Sequence, residues 1–190
     1  MMSRLHTLAM DIPDIDVSVL DDEVKATMHL PAHQIAFRLS RECLRYVHLD
    51  PGWNLLAGRI QTRWLSTITE STFSGAMKRA SSMLREEFLQ FVVSNANELN
   101  GMIAAERDRR FTGTSIYPLL RGVLLRGHRI PTVGAPHEAD DFACILETPQ
   151  YMYLRVAAYL WYPNLTMIQT VYDALSCCHF TTSMTILQNA

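Results

Sequence analysis

Residues 147–164 read Glu147-Thr148-Pro149-Gln150-Tyr151-Met152-Tyr153-Leu154-Arg155-Val156-Ala157-Ala158-Tyr159-Leu160-Trp161-Tyr162-Pro163-Asn164. The stretch opens on a helix start. Thr148 offers a capping hydroxyl, and Pro149 takes the first helical position, where its missing N–H costs nothing. From Gln150 to Trp161 the sequence is apolar almost all round, the pattern of a helix buried in a core rather than laid on a surface. Pro163 ends it, and Asn164 caps a further helix that puts Leu165, Ile168, Val171, Tyr172 and Leu175 on one side.

The same periodicity runs upstream. Ile35, Leu39, Cys43 and Val47 recur every four residues, with Arg38, Arg41, Glu42 and Arg45 between them. Asp50-Pro51-Gly52 makes a turn, and Trp53, Leu56, Ala57, Ile60, Trp64 and Ile68 form the next helical stripe. Ser74 is expected to cap a third helix with Met77, Ala80, Met83, Leu84, Phe88 and Phe91 inside. A shorter helical piece, 97–106, follows; 116–120 reads as one helical turn ended by Gly122, and Val123-Leu124-Leu125 as a short extended segment. Residues 127–147, with Gly127, Pro131, Gly134 and Pro136, read as a long loop. Residues 1–33 lack a sustained period and read as a poorly structured lead-in with a short helix near 19–28. Thr182–Leu187 is β-branched and apolar and reads as a strand; a lone closing strand needs a ladder partner, which is the mark of a truncated unit.

Composition sets bounds on function. The 190 residues carry 17 basic and 19 acidic groups, a balance that gives no broad attraction for nucleic acid or anionic lipid. The longest apolar stretch, 151–162, is interrupted by Arg155 and falls short of the roughly 18 residues a spanning helix needs, so no membrane association is expected. Cys43, Cys144, Cys177 and Cys178 show no CxxC spacing, which fits a reducing, cytoplasmic setting better than a disulfide framework.

The chemical motifs are few. Arg155, inside an apolar helix, either positions a ligand or docks one helix to another through a carboxylate, with Glu147 near; the docking role is favoured, because a buried charge must be paired. Cys177-Cys178-His179 lie on adjacent positions of an expected helix, point about 100° apart and do not form a metal set. Glu106-Arg107-Asp108-Arg109-Arg110 reads as a solvated mixed-charge helix end rather than a phosphate grip. No glycine-rich nucleotide cradle and no nucleophile constellation is present, so no catalytic and no metal-binding residue is assigned.

Four segments in order resemble the large (alpha) subunit of class I ribonucleotide reductase. Glu147-Thr148-Pro149-Gln150 through Arg155-Val156-Ala157 is similar to that family's Glu-x-Pro-Gln, aromatic, Arg-Val-Ala segment. Leu56-Ala57-Gly58-Arg59-Ile60 is similar to its Leu-Ala-Ala-Arg-Ile helix. Ala96–Asn100 through Asp108-Arg109 resembles the approach to its Asp-Arg-Asp-Phe sequence, with Leu119, Arg121 and Leu124-Leu125-Arg126 fitting the piece that follows. Ser183-Met184-Thr185-Ile186-Leu187-Gln188-Asn189-Ala190 resembles its Ser-Pro-Thr-Leu-Phe-Asn-Ala-Gly strand, with one extra residue and Met for Pro.

The resemblance implies a mostly α fold: the N-terminal helical region of a ten-stranded α/β-barrel enzyme, residues 34–190, ending on the first barrel strand. It implies reduction of ribonucleoside diphosphates to deoxyribonucleotides for DNA synthesis, with ATP and dNTP effectors. The expected partners are a radical-supplying, metal-containing small subunit and a second large subunit. Ser183 and Thr185 match the strand that lies against the substrate diphosphate. Residues 1–33 have no counterpart of the family's ATP cone, and the catalytic cysteines have no counterpart, so the 190 residues alone are expected to be an inactive fragment or truncated homologue. The alternative is a non-catalytic interaction module derived from the same subunit.

Overall fold

A computed structural model describes residues 1–127 and 142–190. The helices, in chain order, are α1 (Met2–Ala9), α2 (Asp21–Thr27), α3 (Ala32–Arg45), α4 (Gly52–Ile68), α5 (Phe73–Arg79), α6 (Glu86–Ser94), α7 (Ala96–Gly101), α8 (Gly113–Gly122), α9 (Pro149–Trp161), α10 (Leu165–Ser176) and α11 (Met184–Asn189). Short 3₁₀ turns join them at Val17–Leu20, Ser81–Met83 and Ala105–Arg110. Among the described residues β-pairing is limited to an isolated antiparallel bridge between Arg126 and Ile145. The loop expected over 127–147 falls largely outside the described residues, Pro131, Gly134 and Pro136 included.

The quoted stretch organises everything else. Thr148 accepts a hydrogen bond from the Tyr151 N–H at 3.3 Å, and Pro149 is the first helical residue of α9. Two hydrophobic clusters meet across this helix. Met152 and Val156 enter one, with Leu39 and Cys43 of α3, Leu56, Ile60 and Leu65 of α4, and Ile116 and Leu120 of α8. Tyr151, Leu154, Ala157 and Ala158 enter the other, with Phe73, Met77, Phe88 and Val92, and with Ile168 and Tyr172 of α10. Shared by two cores, the helix keeps little face for water as far as Ala158, with only Leu160 and Trp161 of its last turn exposed, which is why its sequence shows little amphipathic periodicity. The second core is aromatic: Phe88 meets Tyr159 and Tyr162 edge-on at 5.6 and 6.0 Å between ring centroids.

Glycine makes one crossing possible. A Cβ on Gly58, in mid-α4, would lie 1.9 Å from the Phe111 carbonyl oxygen, a backbone atom that no rotamer change moves aside. The chain leading into α8 therefore runs directly over α4 at this residue.

Three expectations change. Residues 1–33 are not a poorly structured lead-in: α1, the first 3₁₀ turn and α2 bury Leu5, Ala9, Val17, Leu20 and Val24 in the first core, and the connection after α1 adds Ile12. Their apolar residues are spread over three short elements, so no single period shows. The expected third helix is two, α5 and α6, separated by the Ser81–Met83 turn and an extended Leu84; Thr72, not Ser74, caps α5, accepting from the Gly75 N–H at 3.1 Å. The third correction concerns 182–187, where no strand forms. Ser183 caps α11 instead, and Leu187 is buried against α9.

Candidate functional site

Arg155 and Glu147 are both fully buried. The guanidinium grips the carboxylate through two bonds, Nε to Oε2 at 3.0 Å and Nη2 to Oε1 at 2.9 Å. Its remaining donors reach the end of the chain, Nη2 to the Leu187 carbonyl at 3.0 Å and Nη1 to the Ala190 carbonyl. Glu147 Oε1 also accepts from the Leu125 N–H at 2.8 Å. One ion pair thus ties together α9, the chain just ahead of its cap, the chain after α8, and α11. The docking role expected for Arg155 is the one observed, and α11 owes its position to it, since carbonyls at a helix C-terminus lack intrahelical donors.

A second buried polar chain lies at the start of α9. Gln150 Nε2 donates to Asp108 Oδ1 at 3.1 Å, Tyr172 donates its hydroxyl hydrogen to Gln150 Oε1 at 2.8 Å, and the Tyr172 oxygen accepts from the Ala104 N–H at 2.9 Å. Burial pushes the Asp108 carboxyl up to about 7, against a smaller opposing effect of the Gln150 hydrogen bonds. The segment 106–110 is a 3₁₀ turn, in which successive side chains diverge by about 120°. Arg107 reaches Asp173 of α10 at 2.7 Å, Asp108 turns to Gln150, and Arg109 reaches Asp11 at 3.0 Å. Arg59 of α4 completes that last contact, donating to Asp11 Oδ2 at 3.0 Å and to the Leu8 carbonyl at 2.7 Å. The run of charges is a three-way staple between elements, with no phosphate-grip arrangement.

Sequence reasoning saw Arg155 and Glu147 but missed Asp108, Gln150, Tyr172 and Asp11. The signal available was the proximity of Gln150 to the helix start. Asp108 and Asp11 lie far from their partners in sequence, so no local pattern marks them.

The two residues expected to meet a substrate diphosphate lie at the start of α11. Ser183 caps α11, accepting from the Ile186 N–H at 3.4 Å, and both Ser183 and Thr185 are exposed on its first turn. Among the described residues no group of three or more His, Cys, Asp and Glu is placed to hold a metal ion, and no helix is long and apolar enough to cross a membrane.

The four cysteines differ in exposure, from buried Cys43 to exposed Cys178. Cys43 is buried in α3, and burial pushes its thiol up to about 12, so it is not a thiolate at neutral pH. Cys177 and Cys178 do not lie within a helix, the placement the sequence suggests; they follow the last turn of α10 and close its end. The Cys178 N–H bonds the Leu175 carbonyl at 3.0 Å and the His179 N–H the Ala174 carbonyl at 2.9 Å, while Cys178 has φ of 60°. This is a Schellman closure with a non-glycine residue in the left-handed position. Cys178→Gly removes the Cβ strain there and is expected to raise stability by about 1 kcal/mol, read as a higher Tm in thermal unfolding.

No family model matches the chain. Over its whole length it is 29% identical to the ribonucleoside-diphosphate reductase large subunit of Trypanosoma brucei brucei, across 202 aligned residues that make up 23% of that protein. Over 74% of its length it is 26% identical to the ribonucleoside-diphosphate reductase large chain of Encephalitozoon cuniculi, covering 17% of that protein. The chain thus spans less than a quarter of the length of these curated relatives.

Proposed function

We propose that these 190 residues are the helical platform of a class I ribonucleotide reductase large subunit, a protein that reduces ribonucleoside diphosphates to deoxyribonucleoside diphosphates. The observation that carries this reading is the similarity to the trypanosomal large subunit along the whole chain. The geometry fits a platform. The segment similar to the reductase Glu-x-Pro-Gln to Arg-Val-Ala sequence supplies the ion pair and polar chain that fix α9, α8, α10 and α11 to one another. Its polar residues are spent on protein, so their role is to hold a shape. The small subunit, a second large subunit and nucleotide effectors belong to this proposal as the partners and ligands of the whole reductase.

Chemistry of this class needs a positioned cysteine radical and a reducing thiol pair. Cys43 is sealed in α3, and Cys177 and Cys178 are adjacent at a helix end. The isolated chain, given a radical-bearing small subunit, dithiothreitol and CDP, is therefore expected to form no dCDP above blank. Product that disappears on mutating Cys177 or Cys178 would contradict the platform role and place catalysis in these residues.

A further inference from the structure

We propose that the half-open cavity lined by α3, α4 and α8 binds a small aromatic carboxylic acid bearing an N–H donor. The cavity holds about 450 Å³, within the range of small-molecule sites. Its walls are apolar and partly aromatic, from Phe37 and Leu44 on α3 and Ile116 and Tyr117 on α8.

Of the polar residues that interrupt those walls, Thr114 is already bonded to Asn54, and three others bear on a ligand. Gln61 of α4 lines the cavity and is 3% exposed; its Nε2 reaches the Ala36 carbonyl at 3.5 Å, while its Oε1 is buried with no hydrogen-bond partner. Ser40 of α3 lines the same space at 5% exposure, and its hydroxyl bonds to no other described residue. A buried acceptor without a donor is a cost to the fold that a ligand can remove. Arg41 is exposed on the same lining and forms no ion pair with a described residue.

Each feature selects one part of the ligand. The orphaned Gln61 oxygen calls for a donor rather than an acceptor. The ring-lined walls call for a flat apolar body that gains by edge and face contacts. The single guanidinium matches a monoanion, and its fork suits a carboxylate. The cavity is separate in chemistry from the Glu147–Arg155 pair, and the proposal stands whether or not the reductase reading holds.

Indole-3-acetate carries all three parts and is the probe. Titrated into the isotope-labelled 190-residue chain, it is expected to give saturable amide shifts at Ser40, Gly113 and Thr114, with a Kd of roughly millimolar or tighter. Methylating the indole nitrogen is expected to weaken binding roughly tenfold, because the Gln61 oxygen is again left bare. Arg41→Gln weakens indole-3-acetate but leaves 3-methylindole, which lacks the carboxylate, unaffected. Gln61→Leu removes the orphaned acceptor, so it raises Tm while erasing the preference for N–H over N-methyl. If that variant fails to fold, the comparison of the two indoles on the unmodified chain still decides. The proposal is overturned by an absence of saturable shifts up to about 10 mM, by shifts that map away from the cavity, or by equal binding of the N-methyl compound.

Discussion

Arg155→Met is expected to cost about 3–5 kcal/mol of stability, the range for removing one member of a buried ion pair. Both partners are fully buried, so the variant leaves the Glu147 carboxylate in the core with only the Leu125 N–H, and it leaves the Leu187 and Ala190 carbonyls without their donors. For a chain of this size that loss lowers Tm by roughly 10 °C, readable by thermal unfolding. The double variant Glu147→Leu with Arg155→Met should recover much of the loss, since packed apolar residues often replace a buried pair at little cost. The recovery will be incomplete, because α11 still lacks its anchor. A single variant with an unchanged melting curve would show that the pair contributes nothing to the fold.

Asp108→Asn is expected to flatten the dependence of stability on pH. The Asp108 carboxyl titrates near 7 in the folded chain, against 3.8 ordinarily, because burial disfavours its charged form. Between these values the unfolded chain releases a proton that the folded chain keeps, so stability falls as pH rises from about 4 to about 7 and is level beyond. The full shift corresponds to no more than about 4 kcal/mol, and partial access to water reduces it to about half. Asparagine keeps an oxygen for the Gln150 Nε2 and carries no charge. The variant should match the unmodified chain near pH 4 and exceed it at pH 8. Parallel stability curves across that range would remove Asp108 as their cause.

The parts legible in sequence were those with local causes. Thr148-Pro149 and Asn164 set the starts of α9 and α10, and the all-round apolar pattern of 150–161 announced a buried helix, which the structure places between two cores. Arg155 was legible as a paired charge because an unpaired one could not stay buried. What escaped was decided at long range. Residues 1–33 are held by Arg59 and Arg109 on Asp11, some fifty and a hundred residues away. Thr182–Leu187 has strand propensity, but a cap from Ser183, the burial of Leu187 and carbonyls taken by Arg155 make it helical from Met184. Tertiary contacts outweigh a propensity worth about 1 kcal/mol or less. Gln61 left no mark either, since a glutamine in a helix is unremarkable until its oxygen is found without a partner.

The most direct test of the platform role is a segment exchange. The 190 residues replace their aligned counterpart in the trypanosomal reductase large subunit, and CDP reduction is measured with that enzyme's small subunit. The account predicts a soluble chimaera that forms dCDP, with turnover lost when Arg155→Met is introduced into the exchanged segment. A chimaera that folds and binds the small subunit yet forms no dCDP would contradict it.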